Sequence, residues 1–373
     1  MSDFFNFLLN GLSCGAIYAL IAVGYTMVYG IIKLINFAHG EFYMFGAFVG
    51  YAALYALFGV HPTGGEPGFL IFAASLLLAG LLTAILAVVV ERFCYRPLRN
   101  AGRIVALLSA LGVSLLLQNL GQQTVGASYR KFAPTLTEAR FPRTEVDLAS
   151  LQPGQTFDRT VVLDYALRDE RGRDQQRTHA VVLAGEPLSA AALAETLRLA
   201  QASSRPAHAY TYAAVTVSSK QLVIVLTLVL VAAGLYGLVQ HTRFGRAMRA
   251  VSVDFRAAAL MGIDVNRIVS GTFFIGAFVA GIGGFLAGGM YYERIDPLMG
   301  LLPGLKAFVA AVLGGIGSIP GAILGALLLG ISEKMVEAYV HSGLRDAFAF
   351  GILIAVLLVR PSGLLGRFEG DKV

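Results

Sequence analysis

The sequence predicts an all-α polytopic membrane protein with about eight membrane segments, one of them broken or re-entrant, and a small extracytoplasmic insertion. Three observations predict it. Of 373 residues, 56% are hydrophobic and only 14% charged, whereas a soluble domain carries about a quarter charged. The deficit lies in six tracts without a single Asp, Glu, Lys or Arg: residues 4–32, 69–90, 104–129, 221–240, 268–292 and 307–332. Each is long enough for the roughly 20 helical residues that cross a hydrocarbon core. Finally, basic residues gather in short stretches between tracts, and only residues 124–219 have ordinary globular polarity.

The first tract follows Asp3 with no basic run ahead of it. It is longer than the roughly 7–15 residue core of a cleavable leader, so it is expected to stay as a span. Residues 42–60 and a shorter tract ending at Val359 are weaker candidates. Cys14 falls in a span and Cys94 beside a basic loop, so no disulfide framework is expected.

Short loops rich in Lys and Arg stay in the cytoplasm. Residues 91–103 carry Arg92, Arg96, Arg99 and Arg103 against Glu91. Residues 241–267 carry Arg243, Arg246, Arg249, Arg256 and Arg267 against Asp254 and Asp264, and the tail adds Arg360, Arg367 and Lys372. Placing these three stretches inside accounts for most of the net charge of +6 and argues against a nucleic-acid surface. Counting back from residue 91 puts the N-terminus outside. Counting forward strands the basic tail outside unless residues 307–332 fail to cross as one helix. Their centre holds Gly314, Gly315, Gly317, Ser318, Pro320 and Gly321. Glycine permits reversal, and proline removes a backbone donor. A broken or re-entrant element is expected there, with an ordinary kinked span as the alternative. Irregular backbone at membrane depth must be buried in protein or line a wet cavity, so these six residues are candidate pathway or gate residues.

Four Gly-x3-Gly pairs, at residues 11/15, 46/50, 284/288 and 321/325, each place two glycines on one helix face. Such faces let backbones approach closely in lipid, which argues for a compact bundle. The chain therefore divides into an N-terminal bundle half (1–123), the insertion (124–219) and a C-terminal half (220–373) with a cytoplasmic loop at 241–267. The insertion holds 11 basic and 10 acidic residues. Short strands are expected at 161–163, 181–183 and 215–217, and a helix at about 190–202 capped by Ser189 with Leu193 and Leu197 on one face. It reads either as a small α+β subdomain or as a disordered loop.

No phosphate-binding Gly-x4-Gly-Lys-[Ser/Thr] motif occurs, and neither does a His-Glu-x2-His pair or a Cys/His ligand cluster. No catalytic, metal or cofactor site is expected. The uncharged spans argue against a proton- or ion-coupled carrier, which needs ionisable groups there, so energy is expected from a partner. Residues 243–250 and 256–262 read as two short helices on the membrane surface. They either dock on a soluble partner through Arg246, Arg249, Arg256, Ala257, Ala258 and Gly262 or simply anchor the topology. Asn36, His39 and Glu41 form the densest polar cluster near a span, as a pathway or gate element or as a hydrated interfacial turn. Gln118, Asn119, Gln122 and Gln123 are expected to cap a helix end or to line the mouth.

Four blocks carry a family resemblance: residues 18–46 (YALIAVGYTMVYGIIKLINFAHGEFYMFG), 91–120 (ERFCYRPLRNAGRIVALLSALGVSLLLQNL), 243–267 and 306–333 (KAFVAAVLGGIGSIPGAILGALLLGISE), with the tail 360–367. They resemble the shorter of two homologous permeases of a bacterial ABC importer for branched-chain amino acids. The resemblance implies a multi-pass subunit of the bacterial inner membrane with no ATPase of its own. Its implied partners are a homologous second permease, two cytoplasmic ATP-binding subunits and a periplasmic substrate-binding protein. It places the ATPase-coupling motif at Arg256-Ala257-Ala258-x3-Gly262, with Arg where the family has Glu. The same machine serving urea, short amides or other amino acids is the alternative. A stand-alone channel, or a structural or signalling protein, fits less well.

Overall fold

The computed structural model describes residues 2–33, 36–60, 67–99, 101–126, 128–132, 140–168, 174–183, 185–360 and 362–366. Long apolar tracts become long helices because lipid offers the backbone no hydrogen-bond partner outside the helix. The first is α1 (Ser2–Ile32). It is followed by α2 (His39–Ala52), which runs on as a π turn (Ala53–Leu57), and by α3 (Phe69–Val90), which ends in a second π turn (Glu91–Tyr95). Then come α4 (Arg103–Val125), the insertion with α5 (Ala190–Ala202), and α6 (Ser219–His241). Two short helices, α7 (Arg243–Val253) and α8 (Phe255–Leu260), precede α9 (Val265–Leu286), which also closes on a π turn (Ala287–Tyr291). The chain ends with α10 (Leu301–Gly314), α11 (Ile319–Tyr339) and α12 (Arg345–Val359). Seven helices among the described residues are long and apolar enough to span, and α10 is a shorter apolar one. The protein is a polytopic α-helical membrane protein.

The tract 307–332 is indeed broken. Gly315 and Gly317 adopt φ of +107° and +97°, a region that only glycine enters cheaply. Ser318 Oγ then accepts from Gly321 N at 3.2 Å to start α11, with Pro320 in its first turn, where the missing donor costs nothing. The resulting α10–α11 hairpin lets the tail return to the same end as the other basic stretches.

α1 and α9 form the buried centre; α1 runs antiparallel to α11. All four Gly-x3-Gly pairs sit at helix crossings. A Cβ on Gly11 or Gly15 would lie 2.7 Å from Ile331 or Leu327 Cα on α11. Gly46 and Gly50 face Gly281 and Phe285 of α9; Gly284 faces Tyr43; Gly321 and Gly325 face Gly314 of α10. By contrast, α4 and α6 expose leucines along much of their length, including Leu108, Leu115, Leu226 and Leu230. Lipid or another apolar surface must cover them.

The insertion contains a four-stranded antiparallel sheet, built from β2 (Arg140–Val146), β3 (Val161–Arg168), β4 (Asp174–Val182) and β5 (His208–Ser218) in the order β2-β5-β3-β4. Val161, Leu163, Val181, Leu188 and Ala209 form its own core. Ser189 caps α5, accepting from Ala192 N at 3.1 Å. Leu193 packs on that core, but Leu197 is exposed. Strand β1 (Arg130–Lys131) pairs with β6 (Arg294–Ile295) and seats Phe132 in the bundle. Residues His61, Pro361, Arg367 and Lys372 lie outside the described residues.

Candidate coupling surface and buried polar network

The short helices α7 and α8 hang from the basic end of the bundle. Thr242 Oγ1 caps α7, accepting from Gly245 N at 3.0 Å. Asp254 Oδ1 caps α8, accepting from the amides of Arg256 at 2.7 Å and Ala257 at 3.0 Å. These donors hold the Asp254 carboxyl below its ordinary range, so the cap stays charged at neutral pH. Gly262 ends the motif at φ +82°, and Ile263 N donates to Ala258 O at 3.1 Å. Gly245, Met248, Val251 and Ala258 face the bundle, while Arg246, Arg256 and Ala257 are exposed. Arg249 is also exposed, but its guanidinium is engaged with the Val239 carbonyl at the end of α6. Val253, Leu260 and Met261 project from the same end and are more than four-fifths exposed.

Asn36, His39 and Glu41 are 6%, 1% and 1% exposed, so they lie inside the bundle and not in a hydrated turn. Asn36 Oδ1 accepts from Ala38 N at 3.2 Å and Tyr95 OH at 2.7 Å. Glu41 Oε1 accepts from Gln118 Nε2 at 2.7 Å and Ser114 Oγ at 3.1 Å. Gln118 thus serves a buried carboxylate rather than a helix end. Asn36 Nδ2, His39 Nε2 and Glu41 Oε2 have no hydrogen-bond partner among the described residues, which is costly in a dry interior. The Gly314–Gly321 hairpin is elsewhere: Gly315 packs on Gly363 and Gly366 of the tail, and Leu365 N donates to Gly314 O at 2.9 Å.

Two charged clusters escaped the sequence. At the basic end, fully buried Glu91 accepts from Arg99 at 2.7 Å and Ser270 at 2.6 Å, and Arg99 also donates to Asn266 at 3.0 Å. Burial pulls the Arg99 guanidinium below its ordinary range, and the Glu91 charge opposes that. Toward the insertion end, Lys306 bridges Glu333 at 2.5 Å and Asp346 at 2.6 Å, while Arg345 lies 3.0 Å from Glu333. Tyr18 OH donates to Glu333 at 3.0 Å, tying α1 to α10, α11 and α12. Their one visible signal was a charge at each border of an uncharged tract. No group of three or more metal-ligating side chains occurs among the described residues.

The family described as "Branched-chain amino acid transport system / permease component" matches residues 7–357. The chain is 37% identical to the high-affinity branched-chain amino acid transport system permease protein LivH of Escherichia coli K12 over 370 residues, covering 99% of this chain and 98% of that one. It is also 37% identical to BraD of Pseudomonas aeruginosa, over 98% of this chain and 97% of that one. A shorter stretch of 113 residues is 29% identical to the fructose import permease protein FrcC of Rhizobium meliloti. No solved structure matches the chain. With nearly its whole length matched and its helices in place, the chain belongs to the permease family of branched-chain amino acid transport systems.

Proposed function

We propose that this chain forms half of the translocation pathway for leucine, isoleucine and valine in an ABC importer of the bacterial inner membrane. The other half is a homologous permease, which the apolar outer faces of α4 and α6 are suited to meet. A periplasmic binding protein delivers the solute at the insertion end. Two cytoplasmic ATPases drive the cycle, one of them docked on α7–α8; the chain itself hydrolyses nothing. The observation that carries this reading is the α7–α8 pair. It exposes the apolar Val253, Leu260 and Met261 together with Arg246 and Arg256, while Gly245, Met248, Val251 and Ala258 fix it to the bundle. The buried polar groups of Asn36, His39 and Glu41 line the proposed pathway or gate, apart from the α10–α11 break, which is packed on the tail.

The test is uptake into vesicles holding all partners. ATP-dependent accumulation of labelled leucine, competed by isoleucine and valine, is expected. An active complex that accumulates urea, a short amide or other amino acids instead would reassign the solute.

A further inference from the structure

Helices α6 and α9 are joined at both ends and scarcely touch in between. At the basic end α7 makes the joint. Its Gly245 lies against the Leu238 and Val239 carbonyls near the end of α6, and Arg249 donates to the Val239 carbonyl. Phe244 of the same helix lies against Gly271 of α9. Helix α8 turns into α9 at Gly262, and Asp264 Oδ1 caps α9 by accepting from Arg267 N at 3.1 Å. The α7–α8 pair is thus mounted on α6 and α9 together.

At the insertion end the joint is Glu293, just past the π turn that closes α9. Its carboxylate accepts from Lys220 Nζ in the first turn of α6. Its carbonyl accepts from Phe132 N at 2.9 Å, beside the β1–β6 pairing. Phe132 in turn is fully buried among the rings of Tyr51, Tyr55 and Phe285. The chain enters the insertion through β1 and leaves it through β5 into α6, so both connections converge on this one residue. Glu293 holds them at φ +52°. That left-handed conformation disfavours a side chain, and glycine would enter it without strain. A strained residue at such a junction points to the work of its side chain, here the ion pair with Lys220.

We infer that Glu293 is a positioning residue that ties the insertion, α6 and α9 into one frame, through which docking of the binding protein on the insertion is passed to α7–α8. The inference rests on the transport reading above and adds to it the route from the outer partner to the ATPase. With the ion pair in place, a displacement of the insertion moves both struts that carry α7–α8. Without it, α6 is still packed on α1 through Ile224 and Leu228, and the two struts respond separately.

The experiment measures ATP hydrolysis by the complete complex in vesicles, with and without leucine-loaded binding protein, alongside the affinity of that protein for the complex. Lys220→Met is the mild variant, because the Glu293 carboxylate it leaves behind is 39% exposed and stays hydrated. Glu293→Gln is the second, and it leaves a nearly buried ammonium. Each should keep basal hydrolysis and binding-protein affinity while stimulation falls about fivefold or more, the lower end of coupling between sites. Lys220→Glu combined with Glu293→Lys should regain most of the stimulation. Full stimulation in Lys220→Met overturns the joint, and so does a reversed pair no better than the single variants. A fall in stimulation that only follows a fall in basal hydrolysis or in monodisperse complex marks a merely structural ion pair and overturns it too. Full stimulation of a complex lacking residues 140–215 would show that the insertion passes nothing on. A native complex that leucine-loaded binding protein does not stimulate defeats the transport reading and the joint with it; normal native stimulation with insensitive variants defeats the joint alone.

Discussion

Glycines in this chain do two different jobs, and the neighbouring atoms tell them apart. A Cβ on Gly262 would meet nothing within 4 Å, so bulk is tolerated, but its φ of +82° is not open to most residues. The left-handed conformation costs an ordinary residue about 1–2 kcal/mol, and Asn less. Gly262→Val should therefore cut the ratio of uptake to ATP hydrolysis several-fold, with Gly262→Asn near wild type in the same vesicle assay. Gly284 is the opposite case: a Cβ there would overlap the Tyr43 carbonyl. Gly284→Ala should abolish a monodisperse peak in size-exclusion chromatography, whereas Gly234→Ala, with nothing within 4 Å, should leave it intact. The sequence identified both kinds of glycine by spacing and motif, but it could not tell strain from contact.

Among elements, the α10–α11 hairpin depends on a charge cluster that composition concealed. Lys306 is almost fully buried and touches two carboxylates on two other helices. Removing one partner of a buried pair leaves an uncompensated charge and costs about 3–5 kcal/mol. Lys306→Met should therefore lower the thermal midpoint of the solubilised protein strongly, and Lys306→Met with Glu333→Gln should regain part of the loss. A double variant no more stable than the single one would show that Glu333 is held by Arg345 and Tyr18 instead. This cluster also qualifies the argument that uncharged spans exclude an ion-coupled carrier. Ionisable groups do lie inside the bundle: those of this cluster are paired with one another, and His39 and Glu41 are buried there as well.

At the scale of the molecule, the insertion is joined to the bundle through β1, Phe132 and the start of α6. Thr216 N donates to Asn6 Oδ1 at 3.2 Å, and Ser218 with Gln221 forms the capping box that begins α6. Excising residues 140–215 with a short linker should therefore keep membrane insertion and a folded bundle, checked by solubilisation and monodispersity. A cut at 144–204 should fare worse, because it leaves β5 without its β3 partner and exposes strand edges to other chains.

Much of the fold was legible because lipid imposes a simple rule: backbone groups must pair within a helix. Tract length marked the spans, arginine placement marked which stretches share one end of the bundle, and parity located the break near Gly314–Gly321. The short helices α7 and α8 were visible because surface helices keep a period that the all-apolar spans lack. The polar network was not. Glu41 with Gln118, Glu91 with Ser270, and Tyr18 with Glu333 are 77, 179 and 315 residues apart. Nothing local marks such partners, and a lone buried charge in a sequence looks like a lone exposed one. The sequence by itself determined a membrane bundle, its ends and its family. Only the tertiary structure decided which polar groups are buried, which of them are paired and which lack a partner among the described residues, because that is settled by what the other helices bring alongside.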